Sequence, residues 1–223
     1  MIISKTPLRM SFVGGGSDLP AFYRKYGGAV VSTAITKFVY VTVNQKFDDR
    51  IRLSYSKTED AKAAEKTKHQ LVREALQMLR IRGGIEITSI ADIPGKGTGL
   101  GSSSSFTVGL LNALHAFANR YAPAAKLAEE SCAIEIERCG EPIGKQDQYA
   151  AAFGGFNLIQ FNSDDSVSVE PIICKRETIR QLQENTLVFY TGITRSASAI
   201  LKTQSATVAS DKAKQKTMKR MVQ

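Results

Sequence analysis

The stretch "GIEITSIADIPGKGTGLGSSSSFTVGLLNALHAFA", Gly84 to Ala118, constrains this chain more than any other. Its first nine residues read as a strand rich in β-branched side chains. Its last twelve, "TVGLLNALHAFA", are so nearly apolar throughout that a helix there must be buried. Between them lie four glycines and four consecutive serines. A strand, a glycine-rich turn and a helix N-terminus together suit a phosphate. Glycines let backbone N–H groups approach an anion, and the first helical turn offers unpaired donors and the positive end of a dipole. The serine hydroxyls add donors and can reach a Mg²⁺ ion. A flexible linker does not fit between a strand and a buried helix, and a helix cap needs one serine rather than four. The two best-known phosphate loops do not match: Gly95-Lys96 is followed by Gly97 instead of Ser or Thr, and the glycine spacing is not that of GxGxxG.

Around this loop the chain alternates strands and helices. "LRMSFVGG", "AVVSTAI", "FVYVTVNQKF" and "IRLSYS" read as strands, and "DAKAAEKTKHQLVREALQMLRI" as a helix with Leu71, Ala75, Leu76 and Leu79 on one face. After the loop's own helix come helices "APAAKLAEESCAIEIERCG" and "KQDQYAAAFGG", strands "FNLIQF" and "SVSVEPI", helix "KRETIRQLQEN", strand "TLVFYT", a turn at Gly192 and a basic helix from about Ser196. The expected fold class is α+β: a mixed sheet packed on helices over residues 1–170, then the opening elements of a second α+β unit over 171–223.

The wording of three segments carries a resemblance. "PGKGTGLGSSSSF" resembles the second motif, P-x-x-x-G-L-G-S-S, of the galactokinase, homoserine kinase, mevalonate kinase and phosphomevalonate kinase superfamily. "PLRMSFVGGGSDLP" resembles its first, substrate-binding motif, and "GEPIGKQDQYAAAFGG" the segment with its catalytic aspartate. "SFVGGGSDLP", "GKQDQYAAAFGG" and "YTGITRSASAIL" are similar to the branch acting on D-glycero-D-manno-heptose 7-phosphate. The resemblance covers about residues 5–205. It implies the N-terminal fold of that superfamily, of the ribosomal protein S5 domain 2 type. It also implies an ATP-dependent enzyme that phosphorylates the anomeric hydroxyl of a sugar phosphate to the 1,7-bisphosphate, with Mg²⁺. A kinase for an unphosphorylated galactose- or fucose-type sugar, or a non-catalytic sugar- or nucleotide-binding relative, are the alternatives.

Residue by residue, the resemblance implies Asp147 as the base that takes the hydroxyl proton and Arg9 as a cation beside it. Gly97, Gly99, Leu100, Gly101, Ser102, Ser103 and Ser104 would hold the nucleotide, and Ser103 and Glu135 the Mg²⁺. Glu137 lies two residues from Glu135, on another face of a helix, and is read as solvated or paired. Gly15, Gly16 and Asp18 would contact the sugar, with Gly14 giving the same freedom to the backbone. Thr191, Gly192 and Arg195 would contact a distal phosphate, which a guanidinium fork suits. Each has a plain structural alternative. Asp147 fits a helix first turn, Asp18 fits the N-cap of "LPAFYRKYG", and Arg195 and Lys96 fit solvated surface positions. His69 reads as a surface residue, His115 as a helix-packing one and Cys132 as core.

Composition narrows the remaining classes. The net charge is +9, but residues 202–223 hold six basic side chains and one acid, so five of those charges sit in the last tenth of the chain. Aromatics are not interleaved with them, as a nucleic-acid stacking platform requires. No nucleic-acid partner is therefore expected; the partners that the resemblance implies are ATP and a small sugar phosphate. The longest apolar runs fall far short of the roughly 20 residues of a membrane helix. Three cysteines without a CxxC pair argue against a disulfide framework or zinc site and for a reducing cytoplasm. The superfamily's third, glycine-rich motif has no counterpart after Ser205. The expectation is that the lid half is missing, that this chain alone has weak or no activity, and that an exposed face favours homo-oligomers.

Overall fold

A computed structural model describes residues 1–93, 98–189 and 211–222. Strand β1 (Ile2–Val13) is followed by helix α1 (Pro20–Tyr26), strands β2 (Gly28–Gln45), β3 (Ile51–Ser54) and β4 (Thr58–Ala61), and helix α2 (Gln70–Leu79). Then come β5 (Ile85–Ala91), α3 (Ser102–Phe117), α4 (Ala124–Cys132), α5 (Gln146–Phe153), β6 (Phe156–Phe161), β7 (Val167–Pro171), α6 (Arg176–Glu184) and α7 (Lys212–Val222). One mixed seven-stranded sheet organises them, with β2 as its spine. One edge of β2 pairs with β1 along nearly its whole length. The other pairs with β6 over Gly28–Thr33 and with β5 over Val39–Gln45, both antiparallel.

"AVVSTAI" and "FVYVTVNQKF" are therefore one strand. The segment that reads as helix from Asp60 instead starts with β4, paired to β3, and a short 3₁₀ turn at Ala64–Lys66. Cross-strand pairing takes Asp60 and Ala61 into the sheet, against the helix preference of Ala61, and the helix waits until Gln70. "TLVF" makes no regular element over residues 186–189, and the turn at Gly192 lies outside the described residues.

The core lies between one face of the sheet and α2, α3, α4 and α5. Alternation supplies the sheet side, with Val39, Val41, Val43, Ile51, Leu53, Ile85 and Ile87 all at most 2% exposed. Helix α3 runs along β1 and β2 and is buried on nearly every side, as its apolar run requires. Each of its fully buried leucines, Leu110, Leu111 and Leu114, contributes about 1.5–3 kcal/mol. The helix lies close to β1: a Cβ on Gly109 would sit 2.6 Å from the Thr6 hydroxyl. The Ser4 hydroxyl donates to the Gly109 carbonyl at 2.7 Å and the Ser105 hydroxyl to the Pro7 carbonyl at 2.8 Å. These contacts fix the N-terminus of α3 beside the middle of β1.

The C-terminal elements are held less tightly. Helix α6 buries no residue. Helix α7 returns to α1, where Met218 packs on Phe22, and Tyr26 donates from its hydroxyl to Gln215 at 2.9 Å.

Candidate active site

The glycine loop is docked onto β1 by that strand's arginine. Gly99 and Gly101 have φ of +72° and +74°, a region costly for residues with a side chain, and Gly101 is the N-cap of α3. The Arg9 amide donates to the Leu100 carbonyl at 3.2 Å, and its Nη1 to the Gly99 carbonyl at 2.7 Å. The rest of the Arg9 fork meets Asp147: Nε lies 2.7 Å and Nη2 2.5 Å from Oδ1. A register shift between Pro7 and Leu8 skips Thr36 and Lys37 of β2 just before this arginine. Leu8 follows Ser4 and Thr6 into the core, and Arg9, the next residue, is buried against the loop. A Cβ on Gly101 would come within 3.3 Å of the Arg9 Cγ and 3.4 Å of the Asp147 Oδ2. Loop, guanidinium and carboxylate thus meet at one point.

The second carboxylate sits one layer deeper. After α4 the helix widens into a π-turn over Ala133–Arg138, with the Cys139 amide donating to the Ile134 carbonyl five residues back. Ile134 and Glu135 are consecutive and both buried, whereas Glu137 is exposed. Glu135 Oε1 accepts from the Ser103 hydroxyl at 2.8 Å and the Thr107 hydroxyl at 3.3 Å. Its Oε2 accepts from the Ser104 hydroxyl at 2.7 Å and from Gln148 Nε2 at 2.6 Å. Burial pushes the Glu135 carboxyl above the usual carboxylate range, and the hydroxyl and amide donors pull against it. Every donor is neutral.

Asp18 forms a third acid position. It is buried, and its carboxyl is pushed up to about 6 by burial first and by the charge of Asp147 second. It does not cap α1, whose N-cap is Leu19 with no side-chain bond. Asp18 instead accepts from the Gly16 amide at 3.0 Å and from the Gln146 amide, the first residue of α5, at 3.2 Å. A Cβ at Gly144 would fall 1.9 Å from Asp18 Oδ2, so that glycine is what admits the carboxylate. Gly14 and Gly16 turn the backbone with φ near +90°, and Gly15 is exposed at the tip of the turn. The Ser11 hydroxyl donates to Gln146 Oε1 at 3.1 Å and ties β1 to the same helix start.

Arg9, Gly99, Leu100, Gly101, Asp147, Asp18 and the Ser103–Ser104–Glu135 group are thus brought together around the N-termini of α3 and α5. Ser102, the first residue of α3, stands beside them. Gly97, Thr191, Gly192, Arg195 and Lys96 lie outside the described residues. Sequence reasoning missed Thr107 and Gln148 as partners of Glu135, and the π-turn that aims it. The only signal was the repeated glutamine in "KQDQ". His69 is not a surface residue: its half-buried ring lies edge-on to Tyr55, with centroids 4.9 Å apart, and 5.2 Å from Phe106. His115 is buried as expected, with Nε2 2.6 Å from Glu130. Cys132 is buried.

The described residues contain no group of three or more His, Cys, Asp or Glu side chains able to hold a metal by themselves. One carboxylate with adjacent hydroxyls is a hard-oxygen donor set. It suits a Mg²⁺ ion that keeps waters and takes its other ligands from phosphate. No helix among the described residues is long and apolar enough to cross a membrane.

Comparison with known proteins finds sugar kinases. The GHMP kinases N terminal domain matches residues 60–155. A D-glycero-alpha-D-manno-heptose 7-phosphate kinase of Campylobacter jejuni is 29% identical over 211 residues, covering 89% of this chain and 62% of its own length. A galactokinase of Pyrococcus furiosus is 28% identical over 202 residues, covering 89% of this chain and 55% of its own. The chain therefore spans less than two thirds of these curated relatives. The crystal structure of a D-glycero-D-manno-heptose 1-phosphate kinase from Bacteroides thetaiotaomicron superposes with a TM-score of 0.80 at 26% identity, covering 98% of this chain and 74% of that one. Residues 60–155 thus match the GHMP kinases N terminal domain, and the chain as a whole is similar in sequence and fold to sugar kinases.

Proposed function

We propose that this chain supplies the ATP- and sugar-binding half of a sugar 1-kinase that acts on D-glycero-D-manno-heptose 7-phosphate. The observation that carries the reading is the Arg9–Asp147 pair set against the glycine loop. Asp147 Oδ1 is committed to the Arg9 fork, which leaves Oδ2 to accept a proton from a hydroxyl placed beside Gly101. As that hydroxyl oxygen attacks the γ-phosphorus, the bond to the ADP oxygen breaks and the hydroxyl proton passes to Asp147. Arg9 orients the carboxylate and sets positive charge where negative charge gathers. Gly99, Gly101 and the first turn of α3 face the phosphates with backbone N–H groups. Ser103 and Glu135 would hold Mg²⁺, which supplies charge neutralisation on the phosphate oxygens. Asp18 and the Gly14–Gly16 turn hold the sugar hydroxyls. Thr191, Gly192 and Arg195 are assigned to the distal phosphate by their motif alone.

The sugar assignment draws support from the heptose kinase in Campylobacter jejuni and the heptose kinase structure from Bacteroides thetaiotaomicron. A second reading, a galactose- or fucose-type substrate, draws on the galactokinase of Pyrococcus furiosus. Residues 1–170 form the catalytic domain in this proposal and 171–223 begin another. Strand β7 closes the sheet at Pro171 and α6 buries nothing beyond it, although α7 packs back on α1. The test is single-turnover phosphoryl transfer from Mg-ATP by the full-length protein, followed by ³¹P NMR, with heptose 7-phosphate, free heptose, galactose and fucose. A new anomeric phosphate on the heptose 7-phosphate, above the Asp147→Asn background, is expected. Product from a free sugar alone establishes the second reading, and no product from any sugar overturns both.

A further inference from the structure

We infer that Gln148 is the positioning residue that aims the Glu135 carboxylate and couples the helix of Asp147 to the divalent-cation site; the inference rests on the kinase reading above. Gln148 is fully buried, and its Nε2 lies 2.6 Å from Glu135 Oε2. A carboxylate only accepts, so the amide nitrogen and not its oxygen must face it. The three other donors to Glu135, Ser103, Ser104 and Thr107, all come from the first two turns of α3. Hydroxyls rotate, and each can turn its hydrogen away when a cation takes its oxygen. The amide N–H has a fixed direction. Among the described residues, Gln148 is thus the donor that reaches Glu135 from a second helix and keeps its direction when a cation arrives. It holds Oε2 from the α5 side, so that Oε1, beside Ser103, stays turned toward the phosphates.

The other end of the same side chain makes the core-packing explanation poor. Gln148 Oε1 is buried without a hydrogen-bond partner among the described residues. An orphaned acceptor is a cost that a methionine of similar size would not carry. A core under selection for packing alone has no use for it. What the glutamine adds is the bond to Glu135, and through it a rigid link to α5, where Asp147 is the adjacent residue.

Groups that orient a metal ligand from behind commonly cost 10–100-fold in metal affinity when removed. The test titrates Mn²⁺ into the full chain with ATP and no sugar, read by electron paramagnetic resonance. Gln148→Met keeps the volume and loses the donor. It is expected to weaken Mn²⁺ binding 10–100-fold while the melting temperature without metal stays within a few degrees. Ser104→Ala removes the other donor to Oε2, and the double variant is expected to lose more than the two single losses combined. Should Gln148→Met not fold, Gln148→Asn, which keeps the amide but cannot reach, replaces it with the same expected loss. A folded variant that binds Mn²⁺ within twofold of the parent overturns the inference and leaves the kinase reading standing. A parent chain that binds no Mn²⁺ beside ATP overturns the kinase reading as well.

Discussion

Asp147 and Glu135 sit within one cluster, yet their surroundings are opposite. Asp147 has a cation of its own, with two nitrogens of Arg9 on one oxygen, and its side chain keeps a quarter of its surface in solvent. Glu135 is 1% exposed and meets only hydroxyls and an amide. An internal cation closes an electrostatic account locally and frees the other oxygen for proton transfer. A ring of neutral donors leaves a buried negative charge to be met from outside, by a divalent ion. In the proposed mechanism, two carboxylates on neighbouring helices are thereby given different tasks by their neighbours rather than by their own chemistry.

The comparison breaks most readily at Asp147. Asp147→Asn is expected to lower turnover about 10²–10⁴-fold, with ATP and Mn²⁺ affinity within threefold, measured by single-turnover kinetics and equilibrium titration. Next is Arg9→Met, which strips the internal cation and undocks Gly99. Turnover is expected to fall about 10²–10³-fold and stability by about 3 kcal/mol in urea unfolding. Arg9→Lys restores little of either, because an ammonium cannot span Asp147 and Gly99 together.

A smaller effect concerns pH. Asp18 holds its proton in the native state up to about pH 6, against 3.8 ordinarily. Between these values the native state binds more protons than the unfolded one, so stability falls as pH rises from about 4 to about 6. The loss is at most about 3 kcal/mol, with no further change above that window. Glu135 acts in the same direction. In Asp147→Asn the like charge is gone, and the Asp18 titration seen by NMR should move down. An unmoved titration would separate Asp18 from the cluster.

Much of this site was legible because its parts are local. Glycines at positive φ, a serine-rich helix start and an arginine ahead of a glycine turn all announce themselves in a short window. The parts that escaped depend on pairing across the fold. Residues 60–66 look helical by composition, yet β3 recruits Asp60 and Ala61 into a hairpin and Ala64–Lys66 make only a 3₁₀ turn. Thr36 and Lys37 look like a break between strands; they are skipped in the pairing with β1, yet β2 runs on through them because β1 pairs with the residues on either side. The π-turn decides which glutamate is buried, and no residue in "AIEIER" advertises it. Asp18 reads as a cap for the helix after it, but it caps α5, 128 residues away, because Gly144 leaves room for it.

The most direct test of the division of labour is Mn²⁺ affinity beside ATP in Glu135→Gln and Asp147→Asn, measured on the same chain under the same conditions. Loss of at least tenfold in Glu135→Gln, with Asp147→Asn within threefold of the parent, is the predicted result. Equal losses in both, or a loss confined to Asp147→Asn, would contradict it.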